Sequence, residues 1–195
     1  MTYPSAPRVH GNGFIQVDLD PLHRLHLWDA RIPRQSTDSS IHDHAFGFDS
    51  RTLQGTIVNV NLLPMFNRNL SIRLGHGWGN PTHNLYQVVR DKDTEETSLK
   101  SMRKRCWFAE QSTLLVGVKD GYHMEPGQFH ASFHLGTTVT VIKKDLTKPQ
   151  YLGSLARVAC RIGERPDNSW VRDQPAPEWA KPILDRWTDE WTKHH

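Results

Sequence analysis

The sequence predicts an all-β fold of short antiparallel strands, arranged as a barrel or sandwich, with one amphipathic helix at its C-terminal end. Three observations predict it. Short apolar or alternating segments recur along residues 14–143, most of them separated by Gly, Pro, Asn or Asp. No helical period interrupts them. Only after Pro175 and Pro177 does the period change: Trp179, Ile183, Trp187 and Trp191 recur every four residues, which places them on one stripe of a helix.

Taken in order, residues 1–12 read as an irregular arm, broken by Pro4, Pro7, Gly11 and Gly13 just beyond it. The body of the domain is expected over 13–160. Phe14 to Leu19 is strand-like, and Arg24-Leu25-His26-Leu27-Trp28-Asp29 alternates polar and apolar residues, with His26 on the polar face. Further strands are expected at 40–45, 51–63, 84–90, 112–118, 121–124, 129–134 and 137–143. Residues 64–83, with Gly75-His76-Gly77-Trp78-Gly79, and the charged residues 91–103 read as loops between strands. A C-terminal extension, 161–195, carries the helix over about 177–193, with Pro182 in its first turn, where proline is tolerated. Its aromatic stripe is expected to pack on the outside of the sheet, the other reading being a surface for a partner. His194 and His195 are given no role.

A chain of 195 residues suits one large domain, which at this size buries roughly 70% of its unfolded surface. Hydrophobic residues make up 36%, and mean hydropathy is −0.63. No apolar run reaches the ~18–20 residues of a membrane span, and Met1 to Pro7 lacks the apolar core of a signal peptide. Cys106 and Cys160 are the two cysteines, too few for a disulfide framework. A reduced, cytoplasmic protein is expected. Net charge is +3, but the basic residues are spread; the densest group, Lys100, Arg103, Lys104 and Arg105, reads as a solvated face, which argues against a nucleic-acid partner. The unusual count is histidine, with 12 residues.

Those histidines cluster. In Ser40-Ile41-His42-Asp43-His44, residues two apart on a strand share a face, so His42 and His44 project together while Ile41 and Asp43 turn away. Two adjacent imidazoles make a poor core and a good half of a metal site. Downstream, Pro126-Gly127 makes a turn and His130 begins the strand that leaves it, with Ser132 and His134 on the same face by parity.

His42-Asp43-His44 followed by a carboxylate and a glycine, then Gly121…Pro126-Gly127-Gln128-Phe129-His130, resembles the paired motifs of the cupin superfamily. The resemblance covers residues 40–145. It implies a cupin-type double-stranded β-helix, a jelly-roll barrel, holding one divalent metal ion through His42, His44 and His130, with Asp49 at about the position of the family's glutamate. Ser39-Ser40-Ile41-His42-Asp43-His44, then Leu53-Gln54-Gly55, is similar more narrowly to the first motif of the cysteine dioxygenase (thiol dioxygenase) branch. That branch uses three histidines on Fe(II) and oxidises a thiol to a sulfinate with O₂. The chain departs from it at Asp49, where many members carry cysteine. It departs again at Thr140, Ile142 and Lys144, where the branch's Ser-x-His-x-Tyr relay would fall. Arg24, Arg31 and Arg34 are candidates, by proximity in sequence, for the arginine that holds the substrate carboxylate.

Asp49 lies at an odd offset from His44, so an uninterrupted strand points it away from the site, and three histidines without it are expected as the ligands. His123, His134 and Tyr122 are the second-layer candidates; His26, His76 and His83 read as surface or loop residues. The resemblance implies a mononuclear non-haem Fe(II) dioxygenase-like enzyme acting on a small chelating substrate, a thiol or carboxylate. Zn, Mn and Ni also suit imidazole donors. Two alternatives stay open: a non-catalytic cupin that binds a small ligand or a metal, and a metal-assisted isomerase or lyase. The expected partner is a small molecule, with no membrane; a homodimer is compatible with the sequence.

Overall fold

The computed structural model describes residues 4–33, 41–66, 81–90, 97–146, 156–164 and 174–194, with Arg90 and Thr97 by backbone alone. Ten strands follow in order: β1 (Arg8–His10), β2 (Phe14–Asp18), β3 (His23–Trp28), β4 (Gly47–Met65), β5 (His83–Arg90), β6 (Thr97–Val116), β7 (Gly121–Met124), β8 (Phe129–Asp145), β9 (Arg157–Arg161) and β10 (Gln174–Pro175). A 3₁₀ turn at Glu178–Ala180 leads into helix α1 (Lys181–His194). The strands form one antiparallel sheet in the order β10-β1-β2-β3-β8-β4-β6-β5-β9, with β7 paired to β4.

The sheet curls until it meets itself. His42, outside any regular strand, bridges both His130 of β8 and Val158 of β9. The contacts are full backbone hydrogen bonds: His42 N to His130 O at 3.0 Å, His130 N to His42 O at 2.8 Å, and Ala159 N to Ile41 O at 3.0 Å. Residues 41–43 thereby close a ring through β8, β4, β6, β5 and β9. This is an all-β barrel-like curl with a C-terminal amphipathic helix, and closure of the ring removes an exposed sheet edge.

The two faces of the curl differ in chemistry. Residues opposite one another in an antiparallel ladder share a face. One face carries Ile15, Leu27 and Val139, then Val17, Leu25 and Val141, and it packs against Trp179, Ile183, Leu184, Trp187 and Trp191. The four-residue stripe of α1 therefore covers the outside of the sheet. Trp179, Trp187 and Trp191 are half-buried there, so each contributes only part of the about 1.5–3 kcal/mol of a fully buried large apolar side chain. The opposite face carries Gln16, His26, Thr140 and Thr52 in one row and Asp18, Arg24, Ile142, Ser50 and Tyr122 in the next. Most of these are polar, and Gln16, Asp18, Ser50, Thr52 and Thr140 are buried. The inside of the curl is built for a site.

Several expected boundaries shift. The segment 97–103, charged and read as loop, is the first part of β6; its ladder to β5 carries the charges on a solvent face while Leu99 and Met102 are half-buried. Arg103, at φ 54, absorbs the register shift opposite Leu85 and Tyr86. Strand β4 extends to both sides of 51–63. The segments 129–134 and 137–143 are one strand, bent by irregular register where Gln54 and Thr56 face it. Gly55 makes that bend: its φ is +73, and a Cβ there would lie 2.5 Å from Thr138 Oγ1 and 2.6 Å from the Thr137 carbonyl. Of the expected strand 40–45, residues 41–45 form no regular strand beyond the bridge at His42, because their partners are two different strands, and Ser40 lies outside the described residues. Residues 8–10, within the expected arm, pair with β2. His76, Arg34 and the Gly75–Gly79 motif lie outside the described residues.

Candidate metal centre

Local bonding brings the three histidines together. Pro126 and Gly127 turn the chain, with Gly127 at φ 74, a conformation that suits glycine. Gly127 N then donates to the His44 carbonyl at 2.9 Å, so the turn before His130 is fastened to the segment that carries His42 and His44. From behind, Asp43 turns outward, as its parity requires, and meets Arg157. The Arg157 guanidinium donates Nε–H to Asp43 Oδ2 at 2.6 Å and Nη2–H to the Gly127 carbonyl at 3.1 Å, and lies 4.7 Å from the Phe129 ring centre. One arginine thus holds both halves of the site.

One ring nitrogen from each of His42, His44 and His130 lies within 4.8 Å of the other two. His44 Nε2 and His130 Nε2 are 3.0 Å apart. His42 packs 5.0 Å from His44 and 4.5 Å from His130, ring centre to ring centre. Phe48 stands edge-on to His44 at 4.9 Å, and Phe46 lies 5.7 Å from it, so apolar rings wall one side. Burial, then the neighbouring His42, holds His44 and His130 well below the ordinary histidine pKa. Both imidazoles are neutral at pH 7, the form that ligates metal.

The donor set fits a divalent ion. Two nitrogens at ordinary bond lengths of about 2.0–2.1 Å and at right angles around a metal stand about 3 Å apart, which is the observed separation. Three imidazoles without a carboxylate suit Fe, Zn, Ni or Cu.

His130 is fixed by a residue that its motif does not contain. His130 Nδ1 lies 2.7 Å from Asn59 Oδ1, and Ser132 Oγ donates to the same oxygen at 3.0 Å. Asn59 is wholly buried on β4 and pairs opposite Ser132. The available signal was Val58-Asn59-Val60-Asn61, an alternation whose polar members face inward. The Tyr122 hydroxyl bonds Ser50 and Ser132, and burial raises its pKa. Of the second-layer candidates, the structure brings Tyr122 to this network.

It does not bring the other two. His123 lies on the outer face, between Asp49 Oδ1 at 2.8 Å and Glu125 Oε1 at 3.1 Å. Asp49 is two-thirds exposed and points away from the three histidines, whereas its neighbour Phe48 points toward them. His134 keeps the parity of His130 but lies four residues further along β8, where it bonds the Gly136 carbonyl at 2.8 Å.

His26 corrects the surface reading. It is half-buried against Phe14 at 4.5 Å, its Nε2 is shielded with no hydrogen-bond partner among the described residues, and desolvation holds its pKa well below the ordinary value. The polar side of its strand is the inner side. His83 is half-buried on Phe108 at 5.2 Å. Arg31 pairs with Asp29 and stacks on Trp179 at 3.6 Å, outside the barrel; Arg24 binds Asp18 on the inner face.

Fold and site together define a curled all-β sheet with three converging histidines. No family model and no curated protein matches the chain. Among solved structures, it is similar to hydroquinone 1,2-dioxygenase from Sphingomonas sp. TTNP3 with 4-hydroxybenzoate bound, at 11% identity over 70% of this chain and 68% of that one, with a TM-score of 0.32. So loose a likeness assigns neither activity nor substrate here.

Proposed function

We propose that this chain binds one divalent metal ion, Fe(II) in preference to Zn, Mn or Ni, through His42, His44 and His130, and acts as a mononuclear dioxygenase-like enzyme on a small chelating thiol or carboxylate. The observation that carries the reading is the convergence of three ring nitrogens within 4.8 Å inside the barrel. His42, His44 and His130 would leave a bound ion open coordination positions, and the ion would there supply activation of O₂ beside a chelating substrate.

The chain's own residues do the rest. The Arg157 bracket and the closing bridges orient the imidazoles; Phe46 and Phe48 keep water from one side. Tyr122 keeps its hydroxyl proton, because burial raises its pKa, and presents it toward Ser132. A reducing, cytoplasmic setting is consistent with the buried Cys106 and Cys160, the Cys106 thiol being pushed up to about 12 by burial.

A non-catalytic binding module is the second reading. It is favoured by Thr140 and Lys144, which stand where the relay of thiol dioxygenases would be and instead bond Trp28 Nε1 and the Pro21 carbonyl. The deciding experiment loads Fe(II) anaerobically and follows O₂ with an electrode across thiols, 2-oxo acids and diketones. Substrate-dependent uptake, lost in His130→Ala, supports the enzyme. Metal binding with no uptake in any class leaves the binding module.

A further inference from the structure

Resting on the metal reading above, we infer that Asn59 is a positioning residue that commits His130 to the tautomer with its proton on Nδ1, and so presents Nε2 as the lone pair offered to the metal. An imidazole can carry its single proton on either nitrogen, and only the unprotonated one can ligate. What the outer nitrogen meets decides which form persists.

At His130 that nitrogen meets an amide, whose two ends have opposite consequences. An Asn oxygen only accepts, and an Asn nitrogen only donates. With Oδ1 toward His130 at 2.7 Å, the ring must donate from Nδ1. With the amide reversed, Asn59 Nδ2 would donate to Nδ1 and the ring proton would move to Nε2, facing the site and blocking it.

The surroundings select the first arrangement. Asn59 Nδ2 donates to Asn61 Oδ1 at 2.9 Å, and Asn61 Nδ2 donates to Ser112 Oγ at 2.9 Å. Those two bonds alone could reverse in concert, because the Ser112 hydroxyl can donate as well as accept. Met124 breaks the tie. Its sulfur lies 3.7 Å from Asn59 Nδ2, and a thioether can accept but never donate. Asn59 Nδ2 therefore sits between two acceptors, which turns Oδ1 toward His130 Nδ1 and the Ser132 hydroxyl, whose oxygen is 3.3 Å from that same nitrogen. Asn59 and His130 sit on neighbouring strands, and Asn59 is wholly buried, so water does not compete for either end.

The test begins on metal-free protein. Nitrogen-15 correlation spectra of His130, assigned by comparison with His130→Gln, read the tautomer directly, and the Nδ1–H form is expected. Zn(II) and Fe(II) affinities are then measured by chelator competition for the wild type, Asn59→Asp and Asn59→Leu. Asn59→Asp keeps an acceptor against Nδ1, so the tautomer and an affinity within a few-fold of wild type are expected. Asn59→Leu removes the acceptor, and about 10–100-fold weaker binding is expected, with His130 no longer held in the Nδ1–H form. An Nε2–H tautomer in the wild type, or wild-type affinity in Asn59→Leu, overturns the inference. If Asn59→Leu does not fold, the wild-type spectrum and Asn59→Asp decide. If the wild type itself binds no metal, the metal reading fails, while the tautomer measurement still decides the role of Asn59.

Discussion

Asp43 and Arg157, 114 residues apart in sequence, form a buried ion pair behind the metal-candidate histidines, with the Asp43 side chain only 2% exposed. The same guanidinium reaches the Gly127 carbonyl, so the pair fastens His42 and His44 to the turn that launches His130. Removing one partner leaves the other charge buried, which costs about 3–5 kcal/mol in sites of this kind. Arg157→Met is therefore expected to lower the stability of metal-free protein by about that amount in urea unfolding, and to weaken metal binding too. Asp43→Leu combined with Arg157→Met removes both charges and should recover most of the stability but not the metal affinity. Full recovery of both would show that the bracket does not orient the histidines.

Metal binding itself should be visible as stability. A ligand that binds only the folded chain stabilises it by about 2.7 kcal/mol at 100 times its Kd. The wild type is expected to hold about one ion per chain by elemental analysis after loading, with a rise in Tm. His42→Ala, His44→Ala and His130→Ala should each lose most of the bound metal and the rise. Protein that takes up no Fe(II), Zn(II), Mn(II) or Ni(II) would end the metal reading.

Acid should unfold the metal-free protein earlier than its carboxylates would require. His26, His44 and His130 all have pKa values lowered well below 6.5 by burial, so below that pH the unfolded chain binds protons that the folded chain refuses. Stability is then lost as pH falls through 6.5 toward the folded values, at up to about 1.4 kcal/mol per pH unit for each group. Chelated protein should show a falling Tm from pH 7 to 5, a window above the titration of ordinary carboxylates. A Tm that is flat or rising over that window would mean these imidazoles are not buried neutral. His26→Phe should reduce the slope.

The all-β class and the terminal helix were legible because each rests on a local rule, period two and period four, whereas the meeting of His130 with His42 and His44 was legible only through the resemblance of the paired motifs. The contacts that hold the site were not. Nothing in the sequence near Asp43 points to Arg157, and the two meet only because the sheet closes on itself. His26 and Asn59 were misjudged or missed for one reason: alternation reveals two faces but not which one turns inward. In an ordinary sheet the polar face meets water, whereas here it lines the barrel. Charge misled at 97–103 in a related way, since a strand with one solvent face carries lysines as readily as a loop does.

Asp49 tests how far parity can be trusted at the site. It belongs to β4, where Phe48 turns toward His44 and Asp49 turns out to His123. A carboxylate ligand would remove one unit of charge from the metal and favour harder ions; an all-imidazole site keeps that charge. Asp49→Asn should leave metal affinity within two- to three-fold of wild type. It should also change Tm by less than about 1 kcal/mol equivalent, because the His123 pair it loses is exposed. The control is Phe48→Ala, one residue earlier and facing inward, which removes the ring beside His44 and should cost about 3–5 kcal/mol of stability. A metal-loaded structure with Asp49 bound at about 2.0–2.2 Å would show that the strand rearranges on binding.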